Sequence, residues 1–141
     1  MKNWIFILFL SLFNTGCELI VIGTRAIPET REIVEYNQKS ALGTIYLFKA
    51  ELDSNNVPAA SNFIRKSDGD KYLAIERYER FYDIHRVRRM ISSHEITDIR
   101  FDSLRNDMLV YKLEFNFRRK LYFNALKIDN DWYITDMGNY E

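Results

Sequence analysis

The apolar residues of this chain change their period once, at Ser92-Ser93, and that switch constrains the fold more than any other feature. Upstream, Ile33, Ala41, Ile45, Phe48 and Leu52 recur at spacings of three, four and eight, which places them on one helical face. Pro28 suits a first-turn position and Thr30 a cap, so a first helix is expected to run from there to about Asp53. Ser54-Asn55-Asn56 reads as a turn, and Val57-Pro58 opens a short second helix whose Ala59, Ala60, Phe63 and Ile64 face the first. Asp68-Gly69-Asp70 breaks the chain again. Asp70 is the expected N-cap of a third helix reaching Ile91, with Leu73, Phe81, Ile84, Val87 and Ile91 in its apolar arc.

Beyond Ser93 the period is two. Ile99 and Phe101 alternate with Arg100 and Asp102, and Leu109, Tyr111, Leu113, Phe115 and Phe117 alternate with Val110, Lys112, Glu114 and Asn116. Arg118-Arg119 connects that strand to a third, Lys120 to Ile128, and Asp129-Asn130-Asp131 turns into a fourth, Trp132 to Met137. The expected fold is α+β: three N-terminal helices packed on a curled four-stranded antiparallel sheet. The 141 residues allow one domain of ordinary size, and 47% hydrophobic residues are ample for a core. Twenty basic and twenty acidic residues cancel, which argues against a nucleic-acid partner.

The N-terminus carries an address. After Met1-Lys2-Asn3, residues Trp4 to Phe13 are apolar except for Ser11, a run of ten and so about half of the ~20 residues a membrane-crossing helix needs. Asn14-Thr15-Gly16-Cys17 follows, and Cys17 is the only cysteine. The segment resembles a bacterial lipoprotein signal, although Asn14 stands where that signal usually has an aliphatic residue. The resemblance implies a signal peptide over residues 1–16, a lipidated Cys17 and tether over 17–29, and a domain over 30–141. The protein is then expected at the cell envelope, held to a membrane by acyl chains on Cys17. Two other readings stay open: Leu19-Ile20-Val21-Ile22 extends the apolar run, so residues 4–22 could be an uncleaved anchor despite Glu18, and ordinary cleavage could leave Cys17 a free thiol.

The long first helix, the short second one and the closing Leu126-Lys127-Ile128-Asp129-Asn130-Asp131-Trp132-Tyr133-Ile134 stretch resemble the nuclear transport factor two superfamily, in particular its small lipoprotein branch. Phe48 to Ala60 matches that branch's passage from helix one through a small turn to an Ala-containing helix. The resemblance covers about residues 30–137 and implies a cone-shaped domain with a pocket between helices and sheet. It implies no particular reaction, and a cystatin-like domain has the same outline.

Chemistry is sparse. His85 and His94 are nine residues apart and lack a partner at helical spacing, and Asp68-Gly69-Asp70 lacks the upstream carboxylates of a calcium loop. No phosphate loop or nucleophile elbow occurs, so no catalytic residue, metal or cofactor is expected. On the third helix Arg77, Arg80, His85 and Arg88 fall inside the apolar arc. Arg77, Phe81, His85 and Arg88 are therefore the candidate pocket for a small anionic ligand held by forked hydrogen bonds; the plainer reading has the arginines snorkelling over apolar surface. Ketosteroid isomerases of the same superfamily imply an alternative in which an Asp abstracts a proton beside a Tyr. Tyr78, Tyr82 and Tyr111 are available, but Asp98 and Asp102 should point away from the core. Arg86-Arg88-Arg89 and Arg118-Arg119-Lys120 form basic clusters suited to acidic envelope polymers, phospholipid heads or simply water. The expected function is a non-catalytic ligand-binding or protein-interaction module, with a pocket enzyme or a helper subunit of a membrane complex as alternatives.

Overall fold

A computed structural model describes residues 34–140. The signal segment, Cys17, the tether, Pro28, Thr30 and Ile33 lie outside these residues. Helix α1 spans Ala41–Asp53, α2 Val57–Ala60 and α3 Ala74–Ile91; a 3-10 turn, Ser61–Phe63, extends α2. Strands β1 (Ile96–Arg105), β2 (Met108–Phe115), β3 (Arg119–Ile128) and β4 (Asp131–Asn139) pair in sequence order, antiparallel throughout, in a curled and unclosed sheet. The architecture is the expected α+β arrangement. No described helix is long and apolar enough to cross a membrane.

The first helix begins later than the pattern suggests. Ser40, in extended backbone, caps α1 by accepting a hydrogen bond from the Gly43 N–H at 3.0 Å. A Cβ on Gly43 would meet the carbonyl oxygens of Glu35 and Asn37 at 2.5 Å each. Residues 35–37 therefore fold back against the first turn, an approach only glycine permits, and they are not helical. The buried face is the predicted one: Ala41, Ile45, Phe48 and Leu52. The third helix is also capped elsewhere. Asp70 belongs to the turn around Gly69 (φ +94°), where its carbonyl accepts from the Lys66 N–H. Glu76 instead reaches back to the Leu73 N–H at 2.7 Å and takes Lys66 Nζ at 2.8 Å. Those two hydrogen bonds hold its carboxyl below the usual carboxylate range.

One core joins the layers. Ile45, Phe48 and Leu52 of α1 and Ile84, Val87 and Ile91 of α3 cluster with Leu113, Phe115, Leu121, Phe123 and Ile134 of the sheet. Phe48 meets Phe123 edge-on, with centroids 6.3 Å apart. Thr44 satisfies its buried hydroxyl on the carbonyls of Ser40 and Trp132.

The two sheet edges are treated differently. On β4, the Trp132 N–H donates to the Gln38 carbonyl at 2.8 Å, the Trp132 carbonyl accepts from Gln38 Nε2 at 3.1 Å, and the Ile134 carbonyl accepts from the Arg65 N–H at 2.9 Å. Loop segments thus occupy that edge. Among the described residues β1 pairs with β2 alone. Ile99 and Phe101 sit opposite Leu113 and Tyr111, so they share the core face, yet both are exposed, Phe101 at 64%. They do not enter the core as the alternation suggests, because no described helix covers that end of β1. Phe117 also departs from expectation: it lies in the β2–β3 turn with φ +57° and is 79% exposed.

Candidate functional site

Helix α3 splits into a covered and an uncovered half. Its last two turns bury Ile84, Val87 and Ile91, whereas its first two bury nothing, and Ile75 and Tyr78 stand exposed there. Arg77 is in the uncovered half and is exposed; Phe81, His85 and Arg88 are half-buried. Phe81 lies against Tyr78, with centroids 6.2 Å apart. Arg80 is tied down by the Tyr72 hydroxyl (3.0 and 3.2 Å) and by Asp83 at 3.1 Å. Arg88 has its Nε buried without a hydrogen-bond partner among the described residues. The helix thus aligns the four predicted pocket residues along one flank, in surroundings that range from open to half-closed.

A recess of about 390 Å³ opens between the C-terminal turn of α3 and the β2–β3 turn. Arg89 and Met90 contribute from the helix, His94 from the connection to β1, Asn116 and Arg118 from the β2–β3 turn, and Phe115 and Arg119 from the strand ends that flank it. None of the four predicted residues is in its lining.

Local chemistry explains how those segments meet. The helix stops at Ser92, and Ser93 takes a left-handed conformation (φ +62°) with its N–H on Asp53 Oδ1 at 2.9 Å. The β2–β3 turn closes through the Arg118 N–H on the Phe115 carbonyl at 3.1 Å, with Asn116 and Phe117 both at positive φ. A reciprocal pair then ties the turn to the helix exit: the Asn116 N–H donates to the Glu95 carbonyl at 3.0 Å, and the Glu95 N–H donates to Asn116 Oδ1 at 2.9 Å. Phe117 N–H adds a bond to Thr97 Oγ1 at 3.2 Å. Arg118 and Arg119 are thereby brought to the recess that Arg89 also lines.

The charge of the recess is one-sided. Its lining includes three guanidinium groups and no carboxylate, and Arg89, Arg118 and Arg119 form no ion pair or side-chain hydrogen bond with any described residue. His94 Nδ1 is buried there without a partner among the described residues. Such a concave surface raises the local concentration of anions. The carboxylates considered for proton transfer are engaged elsewhere: Asp98 pairs with Arg100 at 2.9 Å and Asp102 with Lys112 at 3.3 Å. Among the described residues no three His, Cys, Asp or Glu side chains converge as metal ligands.

Both basic clusters are visible in the sequence, but nothing there reports that they meet. Their proximity depends on the Glu95–Asn116 pairing, which joins residues 21 positions apart. What fold and recess define is a small helix-on-sheet α+β domain, compatible with a cone-like form, with a cationic recess beside one hairpin turn. No protein-family model matches the chain, and no curated protein matches it in sequence.

Proposed function

We propose that the protein is a non-catalytic binding module of the bacterial cell envelope, held at a membrane by a lipid on Cys17, with a domain of the nuclear transport factor two type. The observation that carries the binding reading is the convergence of Arg89, Arg118 and Arg119 on one recess lined by no acid. Guanidinium groups of this kind hold an anionic group in place through forked hydrogen bonds. The tether reading rests on the position of the sole cysteine directly behind a ten-residue apolar run. Two or three acyl chains, at ~0.8 kcal/mol per buried methylene, anchor a domain stably.

Intact mass of the mature N-terminus, taken from membrane fractions of cells making wild type or Cys17→Ala, tests the tether. A species starting at Cys17 and carrying acyl mass is expected, and it should vanish in the variant. A chain that still starts at Met1 would make residues 4–22 a membrane span. A second reading, a helper subunit docked through the sheet, is favoured by the exposed Ile99, Phe101 and Leu104 on the open edge strand. Co-purification of a defined membrane complex that is lost in Phe101→Asp would establish it.

A further inference from the structure

We infer that the recess between the α3 exit and the β2–β3 turn binds a phosphate group, presented by a phospholipid head or by a soluble phosphate ester. The inference rests on the reading of that recess as a binding site and names its ligand class. Three arginines from two chain segments line it, none spent on a described carboxylate. Guanidinium groups present planar forks that match the oxygens of a tetrahedral oxyanion, and several forks suit phosphate better than a single carboxylate, which one fork satisfies.

The helix dipole sharpens this point. The recess faces the C-terminal turn of α3, whose carbonyls repel an anion, so attraction must come from the side chains. His94 also lines the recess, and its Nδ1 is buried and unpartnered among the described residues. Met90, partly exposed, gives the same recess an apolar part. Its volume of about 390 Å³ exceeds what a bare phosphate occupies, leaving space for the organic portion of an ester. Phe117, exposed at the tip of the turn and next in sequence to Arg118, is an aromatic suited to the headgroup layer when the phosphate belongs to a lipid.

The test is calorimetric titration of the full chain in neutral detergent with three probes: inorganic phosphate, short-chain phosphatidylglycerol and succinate. Saturable binding of either phosphate probe is expected. Arg118→Ala/Arg119→Ala and Arg89→Ala should each weaken it at least tenfold, while Lys127→Ala, at the far end of β3, should leave it within twofold. Phosphatidylglycerol binding that Phe117→Ser weakens, without phosphate binding, identifies a lipid head as the source; phosphate binding indifferent to Phe117 identifies a soluble ester. Equal losses in Lys127→Ala and the arginine variants would reduce the effect to net charge and overturn the site. Binding of succinate alone would overturn the phosphate assignment and leave the binding reading standing. Silence from all three probes would overturn both. All the substituted residues are exposed, and an unchanged melting temperature verifies that the variants fold.

Discussion

β1 and β3 are both ten residues long, and both alternate apolar with polar side chains, yet β3 buries Leu121, Phe123 and Ala125 completely while Ile99 and Phe101 of β1 remain exposed. The two strands point their apolar residues to the same face of one sheet. They differ in what lies over that face: α1 covers β3, as the Phe48–Phe123 contact shows, and no described helix covers the outer end of β1. Helix α3 repeats the contrast along its own length, with Ile84, Val87 and Ile91 buried and Ile75 and Tyr78 exposed. Periodicity thus specifies direction, and cover is a separate property supplied by a neighbouring element.

The sharpest way to break this comparison is to remove the same side chain from both strands. Phe123→Ala should cost about 3–5 kcal/mol in urea unfolding, through lost burial and the cavity left beside Phe48. Phe101→Ala should cost about 1 kcal/mol at most, because the ring keeps most of its water contact and meets the Tyr111 ring at a centroid distance of 5.8 Å. Equal losses would mean that something does cover β1. Gly43→Ala is expected next, at about 1–3 kcal/mol, since its Cβ would collide with two backbone carbonyls that hold the start of α1. Phe117→Gly should run the other way and stabilise by about 0.5 kcal/mol, as relief of a left-handed backbone slightly exceeds the entropy that glycine adds and no buried surface is lost.

The smallest effect is a pH dependence at the uncovered start of α3. Hydrogen bonds from Lys66 and the Leu73 N–H hold the Glu76 carboxyl below its ordinary value of 4.5. A group whose folded pKa is depressed stabilises the fold above its unfolded pKa and loses that contribution as pH falls through the folded one. The melting-temperature difference between wild type and Glu76→Gln should therefore be constant above about pH 4.5 and shrink toward zero below it. A difference that persists in acid would assign the cap to shape and not charge.

These contrasts also explain what could be read from residues alone. The order of elements, the antiparallel meander and the buried faces of α1, β2, β3 and the end of α3 follow from spacing, because each is a statement about periodicity. The start of α1 does not, since the apolar spacing carries back to Ile33 while the Ser40 cap and the approach of Gly43 to the carbonyls of residues 35 and 37, which fix the boundary, leave no trace in periodicity. The N-terminus of α3 misleads for a related reason: Asp70 has the right chemistry for a cap, but the Gly69 turn uses its backbone first. The helical projection places the expected anion site at Arg77, Phe81, His85 and Arg88. The cations that share a recess come instead from segments joined by the Glu95–Asn116 pair, and an angle on one helix cannot report that.

The unequal edges of the sheet set a limit on self-association. Gln38 and Arg65 consume the outward main-chain groups of Trp132 and Ile134, so β4 cannot receive another strand at those positions, while among the described residues nothing pairs with the outer edge of β1. Strand addition at the start of β4 therefore has to displace Gln38 and Arg65 first, while addition along β1 displaces no described segment, so the two edges of one sheet carry unequal barriers to pairing with a second copy.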